Sequence, residues 1–149
     1  MENMNYNLLL KQIESLTATE SNLIANLANT TSILHDELKV LWTGFYFVEN
    51  DELVLGPFQG PVACTRIGFG KGVCGKSWES EELVCVDDVH KFPGHIACSS
   101  RANSEIVIPI KKNGKVTLVL DIDSEDYARF NSNDISGLQA ICSYLETII

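Results

Sequence analysis

Five cysteines occur in a chain of 149 residues, and three of them, Cys64, Cys74 and Cys98, stand outside apolar runs. Cys98 lies in His95-Ile96-Ala97-Cys98-Ser99-Ser100, a stretch with neither helical nor strand periodicity. Exposed cysteines with polar neighbours are the reactive kind. Cys74 falls in Gly72-Val73-Cys74-Gly75, at an expected helix start, where the helix dipole favours a thiolate. Cys85 and Cys142 sit in apolar segments and are expected in the core, where free cysteine is commonly found. Three cysteines in loop-like settings leave redox cycling, metal ligation or nucleophilic catalysis open.

A metal centre would draw on His90, His95 and Cys98, with Cys64 and Cys74 to complete it. The chain has no Cys-x-x-Cys pair and no paired-histidine signature. Neither a metal nor a cofactor is expected. A Cys–His hydrolase, with His95 or His90 as base, lacks a local signature. The two histidines are expected to shape their loop rather than carry protons.

A second set of residues is acidic and aromatic. Side chains alternate across a strand. In the last expected strand, Leu118, Leu120 and Ile122 share one face, and Val119, Asp121 and Asp123 the other. In its partner, Ile106, Ile108 and Ile110 oppose Glu105 and Val107. In the first strand, Trp42, Gly44 and Tyr46 oppose Leu41, Phe45 and Phe47. The aliphatic faces must meet helices. Glu105, Asp121, Asp123, Trp42 and Tyr46 then look the other way, under a long loop. Carboxylates two apart on a strand are ~7 Å apart, and at an effective dielectric near 20 they repel by about 2.4 kcal/mol. That pressure favours a retained proton. Such a face suits a small molecule with an apolar and a cationic part. The alternative is that Asp121 and Asp123 merely end a strand in solvent.

The elements that position these residues are legible from pattern. Tyr6, Leu9, Ile13 and Leu16, then Leu23, Ile24, Leu27, Thr31, Leu34 and Leu38, predict two amphipathic helices. Strands are expected at Val40 to Val48, Leu53 to Phe58, Cys64 to Ile67, Leu83 to Val86, Glu105 to Ile110 and Val116 to Asp123. A short helix is expected from Val73 to Ser80, and a long loop from Asp87 to Asn103. Asn113-Gly114 predicts a type I′ hairpin. Asn131 to Asp134 offers caps for a last helix, with Ile135, Leu138, Ile141, Cys142 and Leu145 on its apolar stripe. The order predicts one α+β domain over residues 1–149. Its antiparallel sheet of about six strands carries the N- and C-terminal helices on one face and loops and a short helix over the other.

The net charge of −9 disfavours nucleic acid, which needs a basic patch. No run approaches the ~18 apolar residues of a membrane span. Met1 to Asn5 has no basic or long apolar region of a secretory signal. A cytoplasmic location is expected, and there a static disulfide framework is not.

Several segments together resemble a known family. They are Gly56-Pro57-Phe58-Gln59-Gly60, Ala63-Cys64-Thr65-Arg66-Ile67, Gly70-Lys71-Gly72-Val73-Cys74-Gly75, Asp88 through Cys98, Ser104-Glu105-Ile106-Val107 and Leu120-Asp121-Ile122-Asp123-Ser124. From about Leu41 to the C-terminus the chain is similar to the free methionine-(R)-sulfoxide reductases, a catalytic branch of the GAF fold. The likeness includes the spacing of all three cysteines.

The resemblance implies reduction of free methionine (R)-sulfoxide, not of oxidised residues in proteins, as a defence against oxidative stress. It implies Cys98 as nucleophile, Cys64 as main resolving cysteine and Cys74 as a second recycling cysteine. Glu105, Asp121 and Asp123 would bind and protonate the substrate, and Trp42 and Tyr46 would wall its methyl end. A redox-active disulfide recycled by thioredoxin follows, while the sequence leaves a homodimer open. One departure is Ser99-Ser100-Arg101, where the family often has an acidic residue; Arg101 would favour a thiolate at Cys98. The alternative from the sensor branch is a GAF-type metabolite-binding module with its cysteines as a redox sensor.

Overall fold

Asparagine caps start three of the four helices in a computed structural model that describes residues 3–149. The Asn5 side chain accepts a hydrogen bond from the Leu8 N–H at the start of α1, Tyr6–Thr17. Asn22 does the same for the Ala25 N–H ahead of α2, Leu23–Leu38. Asn131 and Asp134 form a reciprocal capping box on α4, Ser132–Leu145. Each such cap contributes about 1 kcal/mol. The third helix, α3, Gly72–Ser80, has no side-chain cap.

Six strands form one antiparallel sheet: β1 Trp42–Glu49, β2 Glu52–Gln59, β3 Arg66–Gly68, β4 Val84–Val86, β5 Ser104–Lys112 and β6 Lys115–Ser124. Their spatial order is β3-β2-β1-β6-β5-β4. Asn113 and Gly114 both have positive φ, as the expected type I′ turn between β5 and β6 requires. Asn50 and Asp51 make a comparable turn between β1 and β2.

Helices α1, α2 and α4 cover one sheet face. Phe45, Ile106, Ile108, Leu118, Leu120 and Ile122 point into them and are fully buried. Burying one such side chain contributes about 1.5–3 kcal/mol, so the aliphatic alternation of β5 and β6 fixes which face meets the helices. The Tyr6 hydroxyl donates to Asp134 across 2.6 Å and ties α1 to α4. Helix α3 and two loops cover the other face. The α+β sandwich expected from the sequence is the fold observed.

Some local expectations differ from the structure. Leu16 is 46% exposed, and Thr17 takes its place in the core. The Thr17 hydroxyl can be buried because it donates to the Ile13 carbonyl and meets the Tyr144 hydroxyl. Ile24 is exposed too, while Asn26 and Thr30 are buried, their side chains bonded to the Glu20 and Asn26 carbonyls. Strand β1 starts at Trp42 rather than Val40, and Leu41 packs with the α3-side cluster, not with Phe45. Strand β3 starts at Arg66, so Cys64 precedes it. The long loop after β4 contains a single 3-10 turn, Val89–Lys91. Among the described residues no helix is long and apolar enough to cross a membrane.

Candidate active site

Strand register brings the acidic and aromatic residues into adjacent rows. Trp42, Asp123 and Glu105 pair across β1, β6 and β5, and Gly44, Asp121 and Val107 form the next row. All five expected pocket residues therefore share the face opposite the helical core. Trp42, Tyr46, Glu105 and Asp121 are buried there, and Asp123 is half-buried.

Gly44 makes room for the aromatic wall. A Cβ at this position would lie 2.5 Å from the Trp42 ring and 2.5 Å from Phe58 Cβ. The Trp42 ring lies flat between Phe58 and Tyr46, with centroids 5.3 and 5.9 Å away. Trp42 Nε1 donates to the Pro61 carbonyl at 3.1 Å, and the Tyr46 hydroxyl donates to the Cys64 carbonyl at 2.8 Å. Both aromatics thus hold the loop that carries Cys64. Phe58 was not anticipated as part of this wall. Its pairing with Gly44 across β1 and β2 is the signal, since a glycine between two aromatics invites a large neighbour.

Cys64 and Cys98 are joined in a disulfide with a Cα–Cα distance of 5.4 Å, inside the usual range. Cys64 lies in the connection from β2 to β3, held on its other side by the bond from the Leu55 N–H to the Thr65 carbonyl. Cys98 lies in the loop before β5, where its N–H bonds to the Ile96 carbonyl and the His95 N–H to that of Phe92. The Ile96 side chain packs over Gly72, whose φ of +60° a side chain would strain. Trp42, Tyr46, Cys74, Cys98, Glu105, Asp121 and Asp123 line one pocket, whose mouth adds Val62, Lys71, His95 and Ile96.

Cys74 is the third residue of α3, and it is 3% exposed. The expectation that the helix start would favour its thiolate is reversed. Burial pushes its pKa well up, and Asp121, Glu105 and Asp123 add to the effect. Desolvation and three nearby carboxyl groups outweigh the partial charge of a helix terminus. Its Sγ and one carboxyl oxygen from each of Glu105 and Asp121 lie within 4.8 Å of one another. This is a donor set of metal-ligating type, but burial favours the protonated form of each member.

The carboxyl groups do not titrate alike. Burial raises Glu105 well above its ordinary pKa, with the Asp121 and Asp123 charges adding to it. Burial and then Asp121 do the same to Asp123. Burial raises Asp121 too, but hydrogen bonding with Glu105 and Cys74 pulls it back. Asp121 is therefore the least shifted of the three toward its protonated form, and Glu105 and Asp123 are the most. Asp121 Oδ1 is buried with no hydrogen-bond partner among the described residues. A buried unpartnered acceptor is costly, and a donor entering the pocket would relieve it.

His95 Nε2 stands 4.0 Å from Glu105 Oε2. Burial and His90 lower the His95 pKa while burial raises that of Glu105, so the two are neutral neighbours rather than an ion pair. His90 Nε2 meets Asn103 Oδ1 at 2.8 Å. The conceivable ligand set of His90, His95 and Cys98, completed by Cys64 and Cys74, is not available in this form, because the Cys64 and Cys98 sulfurs are bonded to each other. Arg101 pairs with Glu125 at the surface, which weakens its expected effect on Cys98. Cys142 is buried in α4. Cys85 is only half-buried because β4 is an edge strand, with its side chain toward the helical core.

Comparison with known proteins fits this geometry. Residues 14–149 match the family described as GAF domain. A Dictyostelium discoideum protein named GAF domain-containing protein A is 51% identical over 142 residues, covering 95% of this chain and 90% of that protein. Free methionine-R-sulfoxide reductase from Escherichia coli (strain K12) is 44% identical over 142 residues, covering 95% of this chain and 86% of that enzyme. An X-ray structure of free methionine-R-sulfoxide reductase from Neisseria meningitidis, in complex with its substrate, is 49% identical. It superposes with a TM-score of 0.93 and covers 95% of this chain and 86% of that one.

Proposed function

The chain belongs to the free methionine-R-sulfoxide reductases of the GAF-domain family, and on that footing we propose that it reduces free methionine (R)-sulfoxide to methionine with Cys98 as the nucleophile. The observation that carries this reading is the Cys64–Cys98 disulfide at the mouth of a pocket floored by Glu105 and Asp121.

The substrate enters with its methyl end against Trp42 and Tyr46. Its ammonium group meets Asp121, the carboxyl group least shifted toward its protonated form and one with an unpartnered buried oxygen. The first-turn N–H groups of α3, at Gly72 and Val73, lack a side-chain cap. They suit the substrate carboxylate, since helix N-termini bind anions. The sulfoxide oxygen faces Glu105. A residue inside a polypeptide has neither terminal charge, which restricts the site to the free amino acid.

The Cys98 thiolate attacks the sulfoxide sulfur, and Glu105 protonates the departing oxygen. The protonated oxygen passes from the substrate sulfur to Cys98 Sγ as the bond between the two sulfurs breaks, so methionine leaves and Cys98 is left as a sulfenic acid. The Cys64 thiol attacks that sulfur, a disulfide forms and water is released. A dithiol, in our reading thioredoxin, then returns both cysteines to thiols. Cys74 serves as a second recycling cysteine once the loop over it moves, because in the disulfide form its thiol is buried and protonated. Residues 1–149 act as one catalytic unit, in the cytoplasm, where a dithiol pool is maintained. Methionine-sulfoxide-dependent oxidation of NADPH, coupled through thioredoxin and its reductase, tests the reading. A sensor would bind without turnover.

A further inference from the structure

We infer that the face around the Cys64–Cys98 disulfide is a docking surface for an acidic protein dithiol, built from the apolar side chains of Val62 and Ile96 and the cation of Lys71. The inference rests on the proposed reaction, which must reduce this disulfide in every cycle.

Val62 is 88% exposed and Ile96 39% exposed. Each stands two residues ahead of a disulfide cysteine, and both line the pocket mouth with Lys71 and Cys98. Large apolar side chains exposed beside a reactive group mark interaction sites. The charge pattern says what kind of partner fits. The chain has 20 Asp and Glu against 11 Lys and Arg. The two segments that carry the disulfide, 53–78 and 89–104, contain no Asp or Glu. They contain Arg66, Lys71, Lys76, Lys91 and Arg101. Arg66, Lys76 and Arg101 are paired with Glu52, Glu79 and Glu125. Lys71 and Lys91 have no ion-pair partner among the described residues. Around its disulfide this acidic protein thus sets apolar Val62 and Ile96 beside the unpaired cation of Lys71. That face attracts a partner with an acidic rim and an apolar surface beside its thiol.

The donor thiolate attacks Cys64 Sγ. The Cys64–Cys98 bond breaks and Cys98 leaves as a thiolate. The second donor thiol then attacks the mixed disulfide and releases Cys64 as a thiol. The donor ends as a disulfide, and two electrons have passed to the enzyme.

The test compares thioredoxin with dithiothreitol, a reductant too small to use a docking face. In Val62→Asp, reduction of the preformed Cys64–Cys98 disulfide by reduced thioredoxin, followed without methionine sulfoxide so that the substrate pocket plays no part, slows by about tenfold through lost complementarity, while its reduction by dithiothreitol keeps the wild-type rate. Val62→Leu retains both rates. Added salt slows the thioredoxin-driven reaction of the wild type and not the dithiothreitol-driven one. Equal loss with both reductants in Val62→Asp, or no loss with either, overturns the docking surface. A wild-type protein that makes no methionine even with dithiothreitol overturns the proposed function instead.

Discussion

The Tyr46 hydroxyl donates a hydrogen bond to the Cys64 carbonyl at 2.8 Å, so the pocket wall and the disulfide loop form one unit. Tyr46 is 2% exposed, and burial raises its pKa, so the hydroxyl stays a donor across the working pH range. In Tyr46→Phe the ring remains and the tether is lost. A net hydrogen bond contributes about 1 kcal/mol, so disulfide formation after the first methionine is released should slow by roughly fivefold. The substrate KM should stay near wild type. Rapid-quench thiol counting after a single turnover measures the slower step.

Glu105→Gln removes the proposed proton donor while keeping its size. Loss of a positioned acid costs about 10²–10⁴ in rate, seen as slower single-turnover methionine release. Glu105 works in its protonated form, so the wild-type rate should fall as pH rises through its raised pKa. That descending limb should be absent from the pH profile of Glu105→Gln.

The same carboxyl groups cost stability. Glu105 and Asp123 have folded pKa values well above their ordinary ones of 4.5 and 3.8. The folded state therefore holds more protons than the unfolded chain, and stability falls as pH rises from those ordinary values through the raised ones. Glu105→Gln and Asp123→Asn should each be more stable than wild type near neutral pH, by roughly 1–2 kcal/mol. The gain should shrink toward pH 4, as urea unfolding at several pH values would show.

Gly44→Ala tests the aromatic wall without touching a polar group. The new methyl group would sit 2.5 Å from both the Trp42 ring and Phe58 Cβ. Overpacking of this kind costs about 1–3 kcal/mol, and Trp42 is the side chain that must move. The substrate KM should rise and the tryptophan fluorescence should change. An unchanged KM would mean that the Trp42 ring does not contact substrate.

Alternation in β5 and β6 made the acidic face legible, because Ile106, Leu118 and Ile122 can only point into helices and so place Glu105, Asp121 and Asp123 opposite. The position of Cys64 before β3, the burial of Cys74 and the stacking of Phe58 were not legible. Each depends on contacts between segments far apart in sequence. Cys74 is the instructive case. Its local setting, a helix start, favours a thiolate, and only the strands packed beneath it reverse that preference. Leu16 and Thr17 exchanged places for a similar reason, since the partner of Thr17, Tyr144, lies on the last helix.

The central claim is that Cys98 attacks free methionine sulfoxide and Cys64 resolves the product. The direct measurement incubates the fully reduced protein with excess free methionine (R)-sulfoxide and no reductant, then quantifies methionine and maps disulfides. Wild type should release one methionine per chain and acquire a Cys64–Cys98 bond, and Cys64→Ser should still release one. Cys98→Ser should release none. Methionine release by Cys98→Ser, or a wild-type disulfide that omits Cys98, would contradict the mechanism.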